Sequence, residues 1–461
     1  MPKDVTLHTD PTAALPSKQE KHMQATPTSA PVIDPALRRK AVIGSTLGNA
    51  FEWFDFTVYG LFAVVIAKLF FPAENDTNSL LASVASLGVA FFFRPIGGLA
   101  FGLYADRAGR KSALSVMVLL MALGTGLIGI APTYATIGFA APLLILLARV
   151  IQGFSAGGEF GGSTAMLIEF SPPNLRGFYG SFQMCSQALA VALAGLCAYV
   201  LNSALTKEAL ESWGWRLPFL FGILIGPVGF YIRRRMTESP EFLAYAAARE
   251  PTRRTPLTDV FSHHYRSLIA GFGLTVAATT SFYVTLIYTP IYAVKQLGLT
   301  QGAASLSTFI SAILIAVLCP LTGWLSDRVG RKPLILLFVL LYGLTSFWMF
   351  TRLHNAPSMS NMLLAQILPA VCMGFVWGAF PTAVTEVFPV GVRSTGVSIL
   401  YNLSVMMFGG LAPFWITYLI KMTENPLAPA YYILLTVTIS LVTYGLLGRD
   451  GRQVPVSAQH A

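Results

Sequence analysis

The sequence predicts an all-α membrane protein, with twelve transmembrane helices in two six-helix, pseudo-symmetric halves. Three observations carry that prediction. First, 54% of the 461 residues are apolar and 11% charged, with a mean hydropathy of +0.62, whereas soluble domains are about 45–50% apolar and about 25% charged. Second, the apolar residues fall into twelve runs, each able to cross a bilayer as a helix of roughly 20 residues. Third, the loop Gly-Leu-Tyr-Ala-Asp-Arg-Ala-Gly-Arg-Lys at 102–111 returns as Gly-Trp-Leu-Ser-Asp-Arg-Val-Gly-Arg-Lys at 323–332.

The runs lie near 42–70, 80–103, 112–131, 137–160, 178–202, 215–232, 267–293, 303–325, 333–351, 361–386, 394–420 and 428–447. The repeated basic loops follow runs 2 and 8. A second match follows runs 4 and 10, where Glu169 precedes Arg176 by seven residues and Glu386 precedes Arg393 by seven, each pair spanning a Pro-containing turn. The expected organisation is a polar tail at 1–40, a six-helix bundle at 41–232, an inter-half loop at 233–262, a second bundle at 263–448 and a tail at 449–461. The tail up to residue 37 is polar, rich in Pro and Thr, and has no apolar core. It reads as a disordered cytoplasmic segment rather than a signal peptide.

Charge sets the orientation. With the N-terminus in the cytoplasm, about 20 Lys and Arg fall in inner loops and about 5 (Lys207, Arg216, Lys295, Arg352, Lys421) in outer ones. Twelve crossings return the C-terminus to the same side. The net charge of +10 therefore marks inner loops and not a nucleic-acid surface. Cys185, Cys197, Cys319 and Cys372 all lie within apolar runs without metal-ligand spacing, so they read as packing residues. Neither a nucleophile–base constellation nor a nucleotide-binding motif is present, which disfavours an enzyme or an ATP-driven pump. Two-fold internal repetition is how many secondary transporters are built.

Gly-x-x-x-Asp-Arg-x-Gly-Arg-Lys, present twice, resembles the inner-loop signature of the major facilitator superfamily. Gly48–Phe56, Arg94–Gly98, Gln152–Phe160 and Trp213–Phe219 together resemble the metabolite:proton symporter family within it. Ser181–Gln187, Ala278–Tyr283, Thr385–Arg393 and Phe408–Pro413 lean toward the citrate/tricarballylate branch, whereas Glu52-Trp53-Phe54-Asp55 is closer to the 2-oxoglutarate and osmolyte branches. The resemblance implies the major facilitator fold, alternating access and a gating role for Asp106, Arg107, Arg110, Asp327, Arg328 and Arg331, in which the Asp caps a helix end and pairs with neighbouring basic residues. The residues alone leave open a plain positive-inside anchor. Glu169 and Glu386, near inner helix ends, are expected as gate partners.

A charge at bilayer depth costs about 2.5–3.5 kcal/mol on insertion scales, so it has a partner or a task. The deep charges are Glu52 and Asp55 in run 1, Arg94 in run 2, and Arg149 and Glu159 in run 4, all in the first half. Asn49, Glu52, Asp55 and Tyr59 recur at helical spacing and form one polar face. Two carboxylates one turn apart repel in a low-dielectric site, which favours a proton on one of them. Glu52, Asp55 and Glu159 are therefore the proton-coupling candidates, with a static salt bridge to Arg94 or Arg149 as the other reading. None of the six His is deep in a run, so carboxylates and not imidazoles would carry protons. The planar guanidinium fork of Arg94 or Arg149 suits a carboxylate substrate. Gln152, Gln187, Tyr283, Tyr288, Trp377 and Asn402, with Asn49 and Tyr59, complete the substrate-binding candidates; packing is the competing role for the aromatics. The glycines from Gly153 to Gly162 read as close helix contacts and not as a phosphate loop.

The expected function is a proton-coupled symporter importing a small organic acid, most simply a di- or tricarboxylate such as citrate, across a cell inner membrane. A proline/betaine-type osmolyte or a 2-oxoglutarate/shikimate symporter is the alternative. The proton gradient is the energy source, and no metal or other cofactor is called for. The partners are the organic acid, protons and the lipid bilayer, not nucleic acid, and the chain is expected to act as a monomer.

Overall fold

The computed structural model describes residues 34–73, 76–108, 110–234, 237, 256–388 and 390–447. The chain divides after Asp34, and the unit beginning at Pro35 carries every long helix. The described residues form helices and no strands.

Twelve long helical segments can be followed in order. α1 runs Pro35–Leu61 and continues, after a 65° bend, as Ala63–Phe70. α2 is Asp76–Ala108, α3 Arg110–Ile130, and α4 Ala140–Ala156 continuing as Glu159–Glu169. α5 is Arg176–Ala204 and α6 Leu217–Arg234. In the second half, α7 is Tyr265–Leu297, α8 Gln301–Val329, α9 Arg331–Asn355 and α10 Met359–Glu386. α11 begins at Val390–Ser404 and ends as Ala412–Thr423; α12 is Ala428–Leu447.

Several boundaries differ from the sequence expectation. Residues 35–40, read as tail, are the first turns of α1: Pro35 suits a first helical position and Ala-Leu-Arg-Arg-Lys are strong helix formers. Pro256–His263, read as loop, is a short helix. α4 reaches Glu169 rather than ending near 160, resuming after Gly157-Gly158. α7 and α11 each contain a π-helical turn, Tyr283–Tyr288 and Val405–Gly410. The carbonyls such turns release find side-chain donors: Gln366 Nε2 reaches Thr285 O at 2.8 Å, and Thr280 Oγ1 and Tyr432 OH reach Phe408 O at 3.2 and 3.0 Å.

Across the halves α5 packs against α8 and α10, and α2 against α11. Within each half, α1, α3, α4 and α6, or α7, α9, α10 and α12, complete the bundle. Glycine permits the closest approaches. A Cβ on Gly153 would lie 1.8 Å from Ala90 O, and one on Gly157 2.1 Å from Arg94 O. α2 and α4 therefore touch backbone to backbone, as small residues allow in membrane helices. The opposite faces of the helices carry exposed apolar side chains such as Leu123, Leu147, Leu196, Leu321, Leu344 and Leu435, suited to lipid.

Candidate functional site

The predicted polar face of α1 forms, and its two carboxylates take different partners. Glu52 Oε1 lies 3.2 Å from Arg94 Nη2, both groups buried. Asp55 Oδ2 lies 3.7 Å from Arg149 Nη1. Arg149 is fully buried and Asp55 is 2% exposed. Gln152 ties the second pair together: its Oε1 accepts from Arg149 Nη1 at 2.8 Å, while its Nε2 donates to Asp55 Oδ2 and, at 3.1 Å, to Thr125 Oγ1. Arg149 also lies over the Tyr59 ring, 3.5 Å from its centroid. Ser86 spends its proton on Ser83 O, so the Tyr59 hydroxyl donates to Ser86. Asp55 Oδ1 and Arg149 Nε and Nη2 have no hydrogen-bond partner among the described residues.

Arg94 is set differently. Its guanidinium lies 5.6–5.9 Å from the ring centroids of Trp53, Phe56, Phe91 and Tyr401, a setting that favours a cation. Its Nε donates to Asn402 Oδ1 at 3.2 Å and its Nη2 to Ala156 O at 3.3 Å. Asn402 Nδ2 donates to Gly157 O at 2.7 Å, so one amide joins α11 to α2 and α4. Arg94 Nη1 is buried without a hydrogen-bond partner among the described residues.

Two cavities accompany these pairs, and they share no lining residue. One lies inside the N-terminal half between α1, α3, α4 and α6, and Glu52, Asp55 and Glu159 all line it. The other lies between the halves, lined by Trp53, Gln187, Phe282, Trp377 and Tyr401 among others. Asn49 is held within the first half, donating to Gln183 O at 2.8 Å and Ser186 Oγ at 2.7 Å and accepting from Gln187 Nε2 at 3.4 Å. Trp377 Nε1 donates to Ala278 O at 3.2 Å. Tyr283 is buried against Trp53 and Phe91. Tyr288 lies apart from both cavities, accepting from Thr417 Oγ1 at 3.4 Å between α7 and α11.

At the end bearing the repeated loops, the second copy closes the α5–α8 seam. Asp327 Oδ1 and Oδ2 accept from the backbone N–H groups of Gly177 and Phe178 at 2.8 and 3.0 Å, capping the start of α5. This places a carboxylate where a helix dipole is positive. Arg331 bridges Asp327 at 3.2 Å and Glu386 at 3.0 Å. Arg328 stands outside this network: exposed, it covers the Trp324 ring at 3.7 Å. One residue after Asp327 on a helix, it turns about 100° away from the seam. Glu169 is buried at the end of α4. The side chains of Asp106, Arg107, Arg110 and Arg393 lie outside the described residues. At the opposite end, Gln301 Nε2 donates to Leu61 O at 3.0 Å and Lys421 Nζ to Asn78 Oδ1 at 2.9 Å. The halves are thus bridged at both ends.

Trp53, Phe56, Tyr401, Ser86 and Thr125 were not among the sequence candidates for the site. Trp53 and Phe56 flank the carboxylates in the Gly48–Phe56 stretch, and that adjacency was the available signal. Thr125 and Ser86 carried none, because only packing brings them to α1.

Two helical halves, bridged at both ends, with buried carboxylate–arginine pairs deep in the first, have the architecture of a secondary transporter. The chain belongs to the Major Facilitator Superfamily, whose family model matches residues 45–413. It is 39% identical over 393 residues to the citrate-proton symporter of Klebsiella pneumoniae, covering 85% of this chain and 88% of that protein. It is 33% identical over 438 residues to the glycine betaine/proline/ectoine/pipecolic acid transporter OusA of Dickeya dadantii, covering 92% and 86%. Among solved structures, the xylose transporter XylE of E. coli in a partially occluded inward-open conformation superposes with a TM-score of 0.74 over 91% of this chain and 100% of that one, at 17% identity.

Proposed function

We propose that this protein is a proton-coupled symporter that imports a small organic acid, a di- or tricarboxylate such as citrate, by alternating access. The observation that carries the reading is Arg94: a buried guanidinium between the halves with an unused N–H group, beside the aromatic walls of the inter-half cavity. A substrate carboxylate there would gain a charge-assisted, geometrically matched partner. Likeness to the Klebsiella citrate-proton symporter supports the substrate class. Gln187, Trp377 and Asn402 are the further substrate contacts in this reading. Gln152 and Tyr59 hold Arg149 and Asp55 in place, Asn49 ties α1 to α5, and Tyr283 shields the charged residues.

Coupling rests on the Asp55–Arg149 pair. With Asp55 ionised, Arg149 and Gln152 hold it; a proton on Asp55 releases Arg149 and alters the tie between α1 and α4. Glu52 and Arg94 form a second exchangeable pair. The proton gradient supplies the energy, a single chain holds both sites, and the positive-inside distribution supports placing both termini in the cytoplasm of a cell with this inner membrane. Asp327, Arg331 and Glu386 act as the inner latch, with Asp106, Arg107, Arg110 and Glu169 as their counterparts in the first repeat.

The test is uptake of labelled citrate into proteoliposomes under an imposed inward proton gradient, with proline, betaine, 2-oxoglutarate and shikimate as competitors. Gradient-stimulated uptake suppressed by unlabelled citrate is expected. Uptake indifferent to the gradient would refute symport; selective suppression by proline or betaine would move the substrate to the osmolytes, for which OusA is the precedent.

A further inference from the structure

We propose that the proton carried by Asp55 leaves through the interior of the N-terminal half, along the cavity between α1, α3, α4 and α6, and not through the space between the halves that the substrate uses. The inference rests on the symport reading above.

Asp55 lines the first cavity and does not line the second. Its Oδ2 is held by Gln152 and Arg149, while Oδ1 is buried with no hydrogen-bond partner among the described residues. The cavity extends along α3 from Thr125 to Met117, in the direction of the loop-bearing end. With a rise of 1.5 Å per residue from Arg110, Thr125 lies roughly 22 Å and Met117 roughly 10 Å from that end of α3. Glu159 lines the same space from α4. Ser155 and Thr125 add hydroxyls, so water inside would find the two to four polar partners that stabilise it. The inter-half cavity presents mostly aromatic rings, and among its lining residues Gln187, Thr279 and Tyr401 carry polar groups but none carries a carboxylate.

The groups facing Asp55 are Arg149, Gln152, Tyr59, Thr125 and, one turn away, the Arg94-paired Glu52. Among the described residues, α3 and α6 contribute no titratable side chain to the cavity. In the transfer, the O–H bond at Asp55 breaks as one forms on a cavity water. The resulting hydronium passes its proton to the Glu159 carboxylate and then to water at the loop-bearing end. Arg149 neutralises the Asp55 carboxylate left behind. Substrate would leave between the halves, where parting of the α5–α8 seam opens a way, so the two species need not share a path.

Val118→Phe tests this by filling the cavity while leaving every charged side chain in place. Proteoliposomes carrying an internal pH dye would report substrate exchange at equal pH, gradient-driven net uptake and proton entry. Exchange at the wild-type rate is expected, with net uptake and proton entry both reduced roughly tenfold or more. Gradient-driven uptake and proton entry at wild-type rates would overturn the route. Failure of the symport reading looks different: the wild-type protein itself would ignore the gradient. If Val118→Phe also loses exchange, Met121→Cys in a background with all four native cysteines replaced by Ser decides. A small charged thiol reagent applied on the loop-bearing side must modify it and block net uptake; an unreactive Met121→Cys overturns the proposal.

Discussion

Gly177→Ala tests whether the α5–α8 seam is a moving gate. In the closed seam a Cβ on Gly177 would sit 2.5 Å from Gly323 O, 2.6 Å from Ser326 Oγ and 2.8 Å from Asp327 Oδ1, where ordinary contact begins at 3.4 Å. The helices would have to part by roughly 0.9 Å, or Asp327 would have to leave the α5 cap. Gly323 cannot yield, since its carbonyl is backbone and its own Cβ position is 2.6 Å from Gly177 O. Overpacking of this kind costs about 1–3 kcal/mol, and here only the closed state bears it. A bias of that size shifts a two-state population by about 5–150-fold. Spin labels at the loop-bearing ends of α5 and α8 should therefore report a larger open fraction, by pulsed distance measurement in nanodiscs. Gly195→Ala, nearer the other end of the same helix pair and 3.1 Å from Phe309 N, should shift the distribution weakly in the opposite direction. An unchanged distance distribution in Gly177→Ala would show that the seam does not open there and would refute the gate.

Four further outcomes are expected. Asp55→Asn should abolish accumulation against a gradient while membrane insertion persists, because the amide keeps contact with Gln152 but cannot carry a proton; accumulation at the wild-type level would exclude Asp55 as the carrier. Asp327→Ala removes the acceptor of two backbone N–H groups and the partner of Arg331; slower cycling with ligand-induced stabilisation retained is expected in paired uptake and melting assays, and loss of that stabilisation counts against a pure gating role. Arg94→Lys keeps the charge but loses the planar fork shared between Asn402 and Ala156, so KM for the carboxylate should rise more than kcat falls, as steady-state uptake would measure. Gly157→Ala would drive a methyl to 2.1 Å from Arg94 O, costing about 1–3 kcal/mol and lowering the detergent-solubilised melting temperature; an unaltered melting curve would contradict the close α2–α4 packing.

Repetition and hydropathy are properties of the chain itself, so the sequence determined the twelve crossings, the two halves and the two-fold gate signature. It also determined that buried charge concentrates in the first half. Among the described residues of the second half, the buried charged side chains are those of Arg331 and its partner Asp327, both at the loop-bearing end. The acidic face of α1 was legible for the same reason, because residues three and four apart share a side wherever the helix is placed. Tertiary structure decided what each charge meets. Helical periodicity gives the angle between Glu52 and Asp55 but not the rotation of α1 against its neighbours, and that rotation sends one carboxylate to Arg94 and the other to Arg149. It likewise separates Arg328 from Arg331, which read alike as basic residues of one motif. Thr125 and Ser86 joined the site, and Tyr288 left it, through contacts between helices far apart in sequence. The bend after Leu61 and the π turns in α7 and α11 belong to the same class. They depend on which side chains another helix offers to released carbonyls and close backbones, and no local pattern in the chain encodes that.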